Sequence, residues 1–158
     1  PRRGQVLWDI GAGSGAIGIE WLRAARDGVA IGIEPNRAQR ANAATNAARL
    51  GAPRLELIEG SAPDALAGLP APDAVFIGGG LSSETAVAAM EALRPHGRLV
   101  ANAVTLEREA VLTALYTAHG GDLTRIAISR ASPVGRFHGW RPAMPVTQWC
   151  WTKGASDG

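Results

Sequence analysis

The sequence predicts an α/β protein: an open, doubly wound, mostly parallel sheet of seven strands with helices on both faces and a reversed last strand. Three observations lead there. Strand-like and helix-like segments alternate along most of the 158 residues. The first apolar run stops at a cluster of glycines. The last two strand-like runs have no helix between them, and strands joined without a crossover helix pair antiparallel.

Gln5–Ile10 (QVLWDI) is a short apolar run that ends at glycines, as a buried parallel strand does. Ile17, Ile19, Trp21, Leu22 and Ala25 then make Gly15–Arg26 a mostly apolar helix, and Val29–Ile33 is the second strand. Asn36 has the chemistry of an N-cap, with Gln39 three residues on in a capping-box-like pair. That helix runs through Asn46 to Leu50 and stops at Gly51, a usual residue just past a helix end. Arg54–Ile58 is the third strand, a short helix follows near Ala62–Ala67, and Asp73–Ile77 is the fourth strand, running into Gly78-Gly79-Gly80. A helix over Ser83–Leu93, a fifth strand over Arg98–Ala103 and a Thr105-capped helix to His119 complete five β-α units. Asp122–Ser129 and Val146–Thr152 are the terminal antiparallel pair, and Ser132–Pro145 between them reads as a Gly/Pro-containing connection.

Composition narrows the class. With 46% hydrophobic and 19% charged residues the chain is ordinary for a folded protein, and its length suits one domain over 1–158. No stretch approaches the ~20 apolar residues of a membrane span. The single cysteine, Cys150, excludes an internal disulfide, and no Cys/His cluster offers a metal site. Together with the lack of an apolar leader before the first strand, this places the protein in the cytoplasm as an expectation. Sixteen basic and fourteen acidic residues give a net charge of +2. The pI of about 9.4 is high because Lys153 is the only lysine and the other cations are arginines. Those arginines are scattered, which argues against a nucleic-acid partner.

The most informative residues are Asp9-Ile10-Gly11-Ala12-Gly13-Ser14-Gly15, where the first strand turns into the first helix. A glycine turn lets a ligand approach the backbone, and the helix N-terminus behind it presents unpaired N–H groups. Glu34, at the end of the second strand and nineteen residues after Gly15, is placed to accept hydrogen bonds from both hydroxyls of a ribose. Loop and acid together point to a nucleoside cofactor. Gly13–Gly18 also fits G-x-G-x-x-G, so an NAD-binding oxidoreductase stands as an alternative, as does a turn that merely packs helix on strand.

The whole D-I-G-A-G-S-G run resembles the first motif of S-adenosylmethionine-dependent methyltransferases, and that family closes its Rossmann-like sheet with a reversed last strand. The resemblance implies S-adenosylmethionine as cofactor and S-adenosylhomocysteine as product. Gly11, Ala12, Gly13, Ser14 and Gly15 would hold the methionine and ribose part, Glu34 the ribose hydroxyls, and Ser61 and Ala62 the adenine. Many relatives carry an aspartate at the position of Ser61, whose hydroxyl accepts more weakly. Ser61 is equally suited to cap the short helix, with Asp64 three residues on. An RNA methyltransferase would share this sheet and loop. The Asn/Asp-Pro-Pro-aromatic motif of enzymes acting on base amines is absent, however, and three glycines at 78–80 leave room for a bulky substrate.

Four runs sharpen the resemblance: Leu7–Glu20, Phe76–Gly80, Gly97–Glu107 (GRLVANAVTLE) and Ile128–Arg130. They are similar to the decarboxylating precorrin methyltransferases of cobalamin biosynthesis, whose C-terminal or stand-alone domain methylates C15 of the ring. What this implies is a tetrapyrrole (precorrin) substrate rich in acetate and propionate groups. Arg130, Arg136 and Arg141 are then candidate carboxylate clamps, although each is equally suited to solvated surface charge. Asn102 is a candidate for orienting the ring or the leaving carboxylate, or for capping the next turn. His138 is the candidate proton donor. His96 and His119 are expected to favour helix dipoles only, and Cys150 to pack in its strand. Family members often carry a helix before the first strand, and it is expected to lie outside this chain. The chain is expected to be part of a longer polypeptide, with room for a fused upstream methyltransferase domain, and it is compatible with a homo-oligomer.

Overall fold

The computed structural model describes residues 3–25 and 27–154. Nine strands, four α-helices and one 3-10 turn are formed among them. In chain order they are β1 (Val6–Ile10), α1 (Ala16–Ala24), β2 (Val29–Ile33), α2 (Arg37–Arg49), β3 (Glu56–Ile58), the 3-10 turn Asp64–Leu66, β4 (Ala74–Ile77), α3 (Ser83–Ala92), β5 (Arg98–Ala103) and α4 (Leu106–His119). β6 (Asp122–Ile126), β7 (Ser129–Val134), β8 (Phe137–Pro142) and β9 (Val146–Thr152) complete the chain.

Seven strands form one sheet in the order β3-β2-β1-β4-β5-β9-β6. The pairs among β1 to β5 are parallel, and β9 runs antiparallel to both neighbours, with Ala103 opposite Thr147 and Ile126 opposite Val146. The reversal follows from the missing crossover: with no helix between β6 and β9, the chain returns alongside itself. The order switches direction at β1, whose neighbours β2 and β4 lead to opposite edges. A crevice therefore opens beyond the carboxyl ends of β1, β2 and β4.

The sheet is buried on both faces near its centre, so β1 reads as five consecutive buried residues without alternation. On one face α3 and α4 pack on Trp8, Ile10, Ile31, Ile33, Val75, Ile77, Leu99 and Trp149. On the other, α1 and α2 pack on Leu7, Ala30 and Leu55. Trp149 is fully buried, and its indole N–H donates to the Gly120 carbonyl at 2.8 Å, tying β9 to the turn after α4.

Helix ends use the predicted chemistry in part. Asn36 Oδ1 accepts from the Ala38 and Gln39 N–H groups at 2.9 and 3.1 Å, and Thr105 accepts from Arg108 at the start of α4. His119 is the last residue of α4. His96 lies beyond the end of α3, in the turn before β5; the Lys153 ammonium instead donates to the Met90 and Glu91 carbonyls at that helix end, at 3.1 and 2.7 Å.

Three expectations are corrected. Asp122–Ser129 is not one strand: β6 ends at Ile126, and Ser129 opens a separate strand. Ser132–Pro145 is not an irregular connection, because β7 and β8 form a two-stranded hairpin. Its signal was a Gly-X pair, Gly135-Arg136, between Val134 and Phe137, with Gly135 at φ +59°, as a two-residue hairpin loop requires. The short helix after β3 is a single 3-10 turn, Asp64–Leu66, with Pro63 at its N-cap and no side-chain cap, so Ser61 does not cap it; the Ser61 carbonyl accepts from Ala65 N–H at 3.0 Å.

Candidate functional site

A cleft of about 190 Å³ lies at the carboxyl ends of β1, β2, β3 and β4, lined by Ile10, Gly11, Ile33, Glu34, Pro35, Gly60, Ser61, Ala62, Gly79 and Gly80. Three of its walls are loops that leave neighbouring strands, and the hydrogen bonding shows why they converge.

The first wall is the glycine loop. Gly11 N–H donates to the Ile33 carbonyl at 2.9 Å, which bends the chain off β1 toward β2. Gly11 sits at φ +70°, and a Cβ there would fall 2.4 Å from the Gly79 Cα, so only glycine allows the two loops to touch. Gly15 closes the loop at φ +78° as the residue before α1. The second wall, Gly78–Gly80, is held to the first because the Gly78 and Gly79 N–H groups both donate to the Ile10 carbonyl, at 2.9 and 3.3 Å. The glycines at 78–80 thus bring two strand ends together as well as keeping the cleft open.

Glu34 forms the third element. It is 8% exposed, and both its carboxylate oxygens are engaged: Oε2 accepts from Gly13 N–H and Oε1 from Asn36 N–H, each at 3.0 Å. Each oxygen retains acceptor capacity for a further donor. Beneath the loop, Asp9 is 1% exposed and accepts from the Gly18 N–H at 3.0 Å, which docks the start of α1 on β1. Burial pushes its carboxyl up to about 6; the Gly18 N–H opposes this and the charge of Glu34 adds to it.

Of the eight residues expected around the cofactor, Gly11, Glu34, Ser61 and Ala62 line the cleft. Ala12 is buried, Gly13 spends its N–H on Glu34, and Ser14 and Gly15 belong to the loop without lining the cleft. Sequence reasoning missed Pro35 and Gly60 as lining residues; it had read the glycines at 78–80 as room for a bulky substrate, and two of them, Gly79 and Gly80, line the cleft. It also missed the groups behind the walls: Arg40, Asn46 and Thr85. The Asn46 side chain donates to the Ser14 carbonyl at 3.1 Å, and the Thr85 hydroxyl to the Ala62 carbonyl at 3.3 Å. The helix positions of these residues were legible; their partners lie in loops distant in sequence and were not.

The substrate-side candidates occupy the other half of the same sheet end. Asn102 lies on β5 one residue from its end, and its Oδ1 accepts from the Gln148 side-chain amide across the β5–β9 pair at 2.9 Å; Thr105, not Asn102, caps α4. Because Ile126 and Val146 pair at that end, the β7–β8 hairpin between them projects beyond the strand tips. Its register puts Arg130 opposite Arg141 and Val134 opposite Phe137, with Ser132 and Gly139 between. Directly opposed residues share a face, so these side chains line one face while Ala131, Trp140, Pro133 and His138 line the other. Arg136, in the turn, lies 5.2 Å from the Phe137 ring centre. The structure therefore places Arg130 and Arg141 on the same face as the apolar tip pair, puts Arg136 beside Phe137, and separates His138 from Arg130 and Arg141. Cys150 is half-buried in β9 with its thiol 3.7 Å from Gln148 Oε1.

A larger and more open depression of about 640 Å³ runs along α4 beside Leu106, Ala110, Thr113 and Ala114. Its one carboxylate, Glu109, is already paired with Arg125 and Thr147, so polar groups do not converge there as they do at the strand tips. Among the described residues no group of His, Cys, Asp and Glu could hold a metal ion, and no helix is long and apolar enough to cross a membrane.

The reversed β9, the strand order and a cleft at the β1 switch point define a Rossmann-like methyltransferase fold. Residues 1–153 match the family model described as the precorrin methyltransferase domain, and the chain belongs to that family. It is 57% identical over 157 residues to a precorrin-6Y C(5,15)-methyltransferase [decarboxylating] of Sinorhizobium, covering 98% of this chain and 38% of that protein. A cobalt-precorrin-6B C(15)-methyltransferase (decarboxylating) of Salmonella typhimurium is 31% identical, with 91% of this chain and 77% of that protein covered. The crystal structure of the C-terminal domain of precorrin-6Y C5,15-methyltransferase from Rhodobacter capsulatus superposes with a TM-score of 0.90 at 49% identity, over 97% of this chain and 83% of that one. The chain thus spans about two-fifths of the length of the Sinorhizobium relative.

Proposed function

We propose that this chain transfers a methyl group from S-adenosylmethionine to ring carbon C15 of a precorrin, with loss of carbon dioxide from a ring acetate, in cobalamin biosynthesis. The C15 half of the reaction is the part we assign. The relative named for C15 alone is matched over 77% of its length, whereas the one named for both C5 and C15 is matched over 38%. The observation that carries the cofactor assignment is Glu34, a nearly buried carboxylate fixed by two backbone N–H groups at the lip of the cleft.

In this reading Glu34 accepts from the ribose hydroxyls, Ser61 and Ala62 lie beside the adenine, and Gly11 lets the methionine part cross the strand tips. Ala12, Gly13, Ser14 and Gly15 serve by shaping the loop. When bound, S-adenosylmethionine supplies an electrophilic methyl group on a sulfonium sulfur, leaving S-adenosylhomocysteine. An electron-rich ring carbon needs little acid–base help to accept it, so holding the reactants in line is the chain's main contribution. The arginine face of the hairpin suits the other reactant. Arg130, Arg136 and Arg141 offer planar forks to acetate and propionate groups, and Val134 and Phe137 offer apolar contact to the ring. With its Oδ1 engaged by Gln148, Asn102 keeps its N–H donors for the leaving carboxylate. His138 is the candidate proton source after decarboxylation. It stands on the face away from Arg130 and Arg141, so a His138→Gln variant that still releases carbon dioxide normally would remove it from the reaction.

Calorimetric titration of S-adenosylhomocysteine tests the assignment. Glu34→Ala is expected to weaken binding at least about tenfold while the unfolding midpoint moves little; unchanged affinity contradicts the site. For the reaction, incubation with precorrin substrate is expected to release carbon dioxide in proportion to the methyl groups transferred.

A further inference from the structure

Behind the cleft, one arginine holds together the tips of two strands. Arg40 lies in the first turn of α2, and its side chain is only 13% exposed. One guanidinium nitrogen, Nη1, donates to two carbonyls, those of Glu34 and Pro35, each at 2.8 Å. The other, Nη2, pairs with the Glu59 carboxylate at the end of β3.

The neighbouring hydrogen bonds show what this accomplishes. In the segment 34–36, Glu34 N–H donates to the Ile58 carbonyl at 3.1 Å, Asn36 N–H donates to the Glu34 carboxylate, and the Asn36 carbonyl accepts from Arg40 N–H at 3.0 Å. Proline has no N–H. The two carbonyls that remain, Glu34 and Pro35, are those Arg40 takes. A single planar fork therefore completes the backbone pairing of the segment that carries the ribose carboxylate. It also anchors Glu59, next to Gly60 and Ser61 on the opposite wall. A lysine reaching the same place offers a point charge without a rigid fork.

We infer that Arg40 is a positioning residue for cofactor binding: it fixes the backbone that aims Glu34 and sets the separation between the β2 and β3 walls. The inference rests on the proposed role of Glu34, through which Arg40 acts. It makes no contact with cofactor itself. Residues that orient a binding group commonly change affinity by ten- to a hundredfold when removed, as known for the outer neighbours of metal ligands.

The test is a double-mutant cycle read by calorimetry of S-adenosylhomocysteine in the full chain, using Arg40→Ala, Glu34→Ala and the double variant. Arg40→Ala is expected to raise the Kd about tenfold, and to raise it less than threefold when Glu34 is already alanine, because a residue acting through Glu34 has nothing left to aim. Arg40→Lys, which keeps the stem and the charge, is expected to fall between wild type and Arg40→Ala; if Arg40→Ala does not fold, Arg40→Lys replaces it in the cycle with a threefold rise expected. Steady-state rates are expected to show the loss in the KM for S-adenosylmethionine, with kcat within twofold. An unchanged Kd in the arginine variants overturns the inference, as does the same fold-loss with and without Glu34, which would mark a general structural role. If Glu34→Ala itself leaves the Kd unchanged, the reading of the cleft fails instead, and the two failures are thereby distinguished.

Discussion

Asp9 is a carboxyl group whose burial works against its charge. It is 1% exposed, accepts from the Gly18 backbone N–H, and lies where Glu34 adds to the field against ionisation. Its pKa is raised from 3.8 to about 6, so the folded state holds the proton more tightly than the unfolded one. The sign follows: the contribution to stability is fully present below about pH 4 and is lost as pH climbs through 6, amounting to roughly 3 kcal/mol. Asp9→Asn, which keeps an oxygen for Gly18, is expected to be more stable than wild type at pH 7.5, with the advantage vanishing near pH 4. Urea denaturation across that range checks this, and parallel stability profiles would contradict it. At this scale the sequence was informative where residues are close along the chain. Asp9, the glycines and Glu34 were legible as a set because a strand–turn–helix and the next strand end fix their spacing. Arg40 and Thr85 were not, since their partners are carbonyls in loops whose meeting depends on the sheet order.

At the scale of elements, the meeting of the β1 and β4 loops is the most demanding contact. A Cβ on Gly11 would lie 2.4 Å from Gly79 Cα, whereas a Cβ on Gly79 would sit at an ordinary 3.4 Å from Gly11 Cα. Gly11→Ala is therefore expected to lose more than about 2 kcal/mol of stability together with S-adenosylhomocysteine binding. Gly79→Ala is expected to stay within about 1 kcal/mol of wild type; equal losses in the two variants would show the contact to be misassigned. On the other edge, Trp149 fills the space under α4 and bonds to Gly120. Trp149→Ala should cost roughly 3–5 kcal/mol in denaturant melts, and a loss below about 1 kcal/mol would mean that β9 is held by its ladder alone. Strands and helices with strong apolar runs were readable in sequence. The β7–β8 hairpin was not, because its strands are exposed, carry Pro133 and Pro142, and lack the alternation that a packed face imposes. Only Gly135-Arg136 announced it.

Across the whole molecule, the cleft and the β7–β8 hairpin stand at one end of the sheet. The parallel strands place the cleft at their carboxyl ends, and the reversed β9 returns the hairpin to that same end. The antiparallel terminal pair was legible from the absence of a crossover helix between its strands, although the shape of the hairpin was not. A site divided between cleft and hairpin predicts separable defects. Replacing both Arg130 and Arg141 with glutamine is expected to raise the KM for precorrin by tenfold or more and leave the S-adenosylhomocysteine Kd within about twofold, the forks being lost from one half of the site only. Equal effects on both ligands would contradict the division. In the proposed binding mode the adenosine moiety lies across the tips of β1 and β2 with its sugar on Glu34. A crystal structure of the chain with S-adenosylhomocysteine decides this: both ribose hydroxyls are expected within hydrogen-bonding distance of the Glu34 carboxylate, with the adenine between Pro35 and Ala62. A nucleoside bound elsewhere, or with its sugar turned away from Glu34, would contradict it.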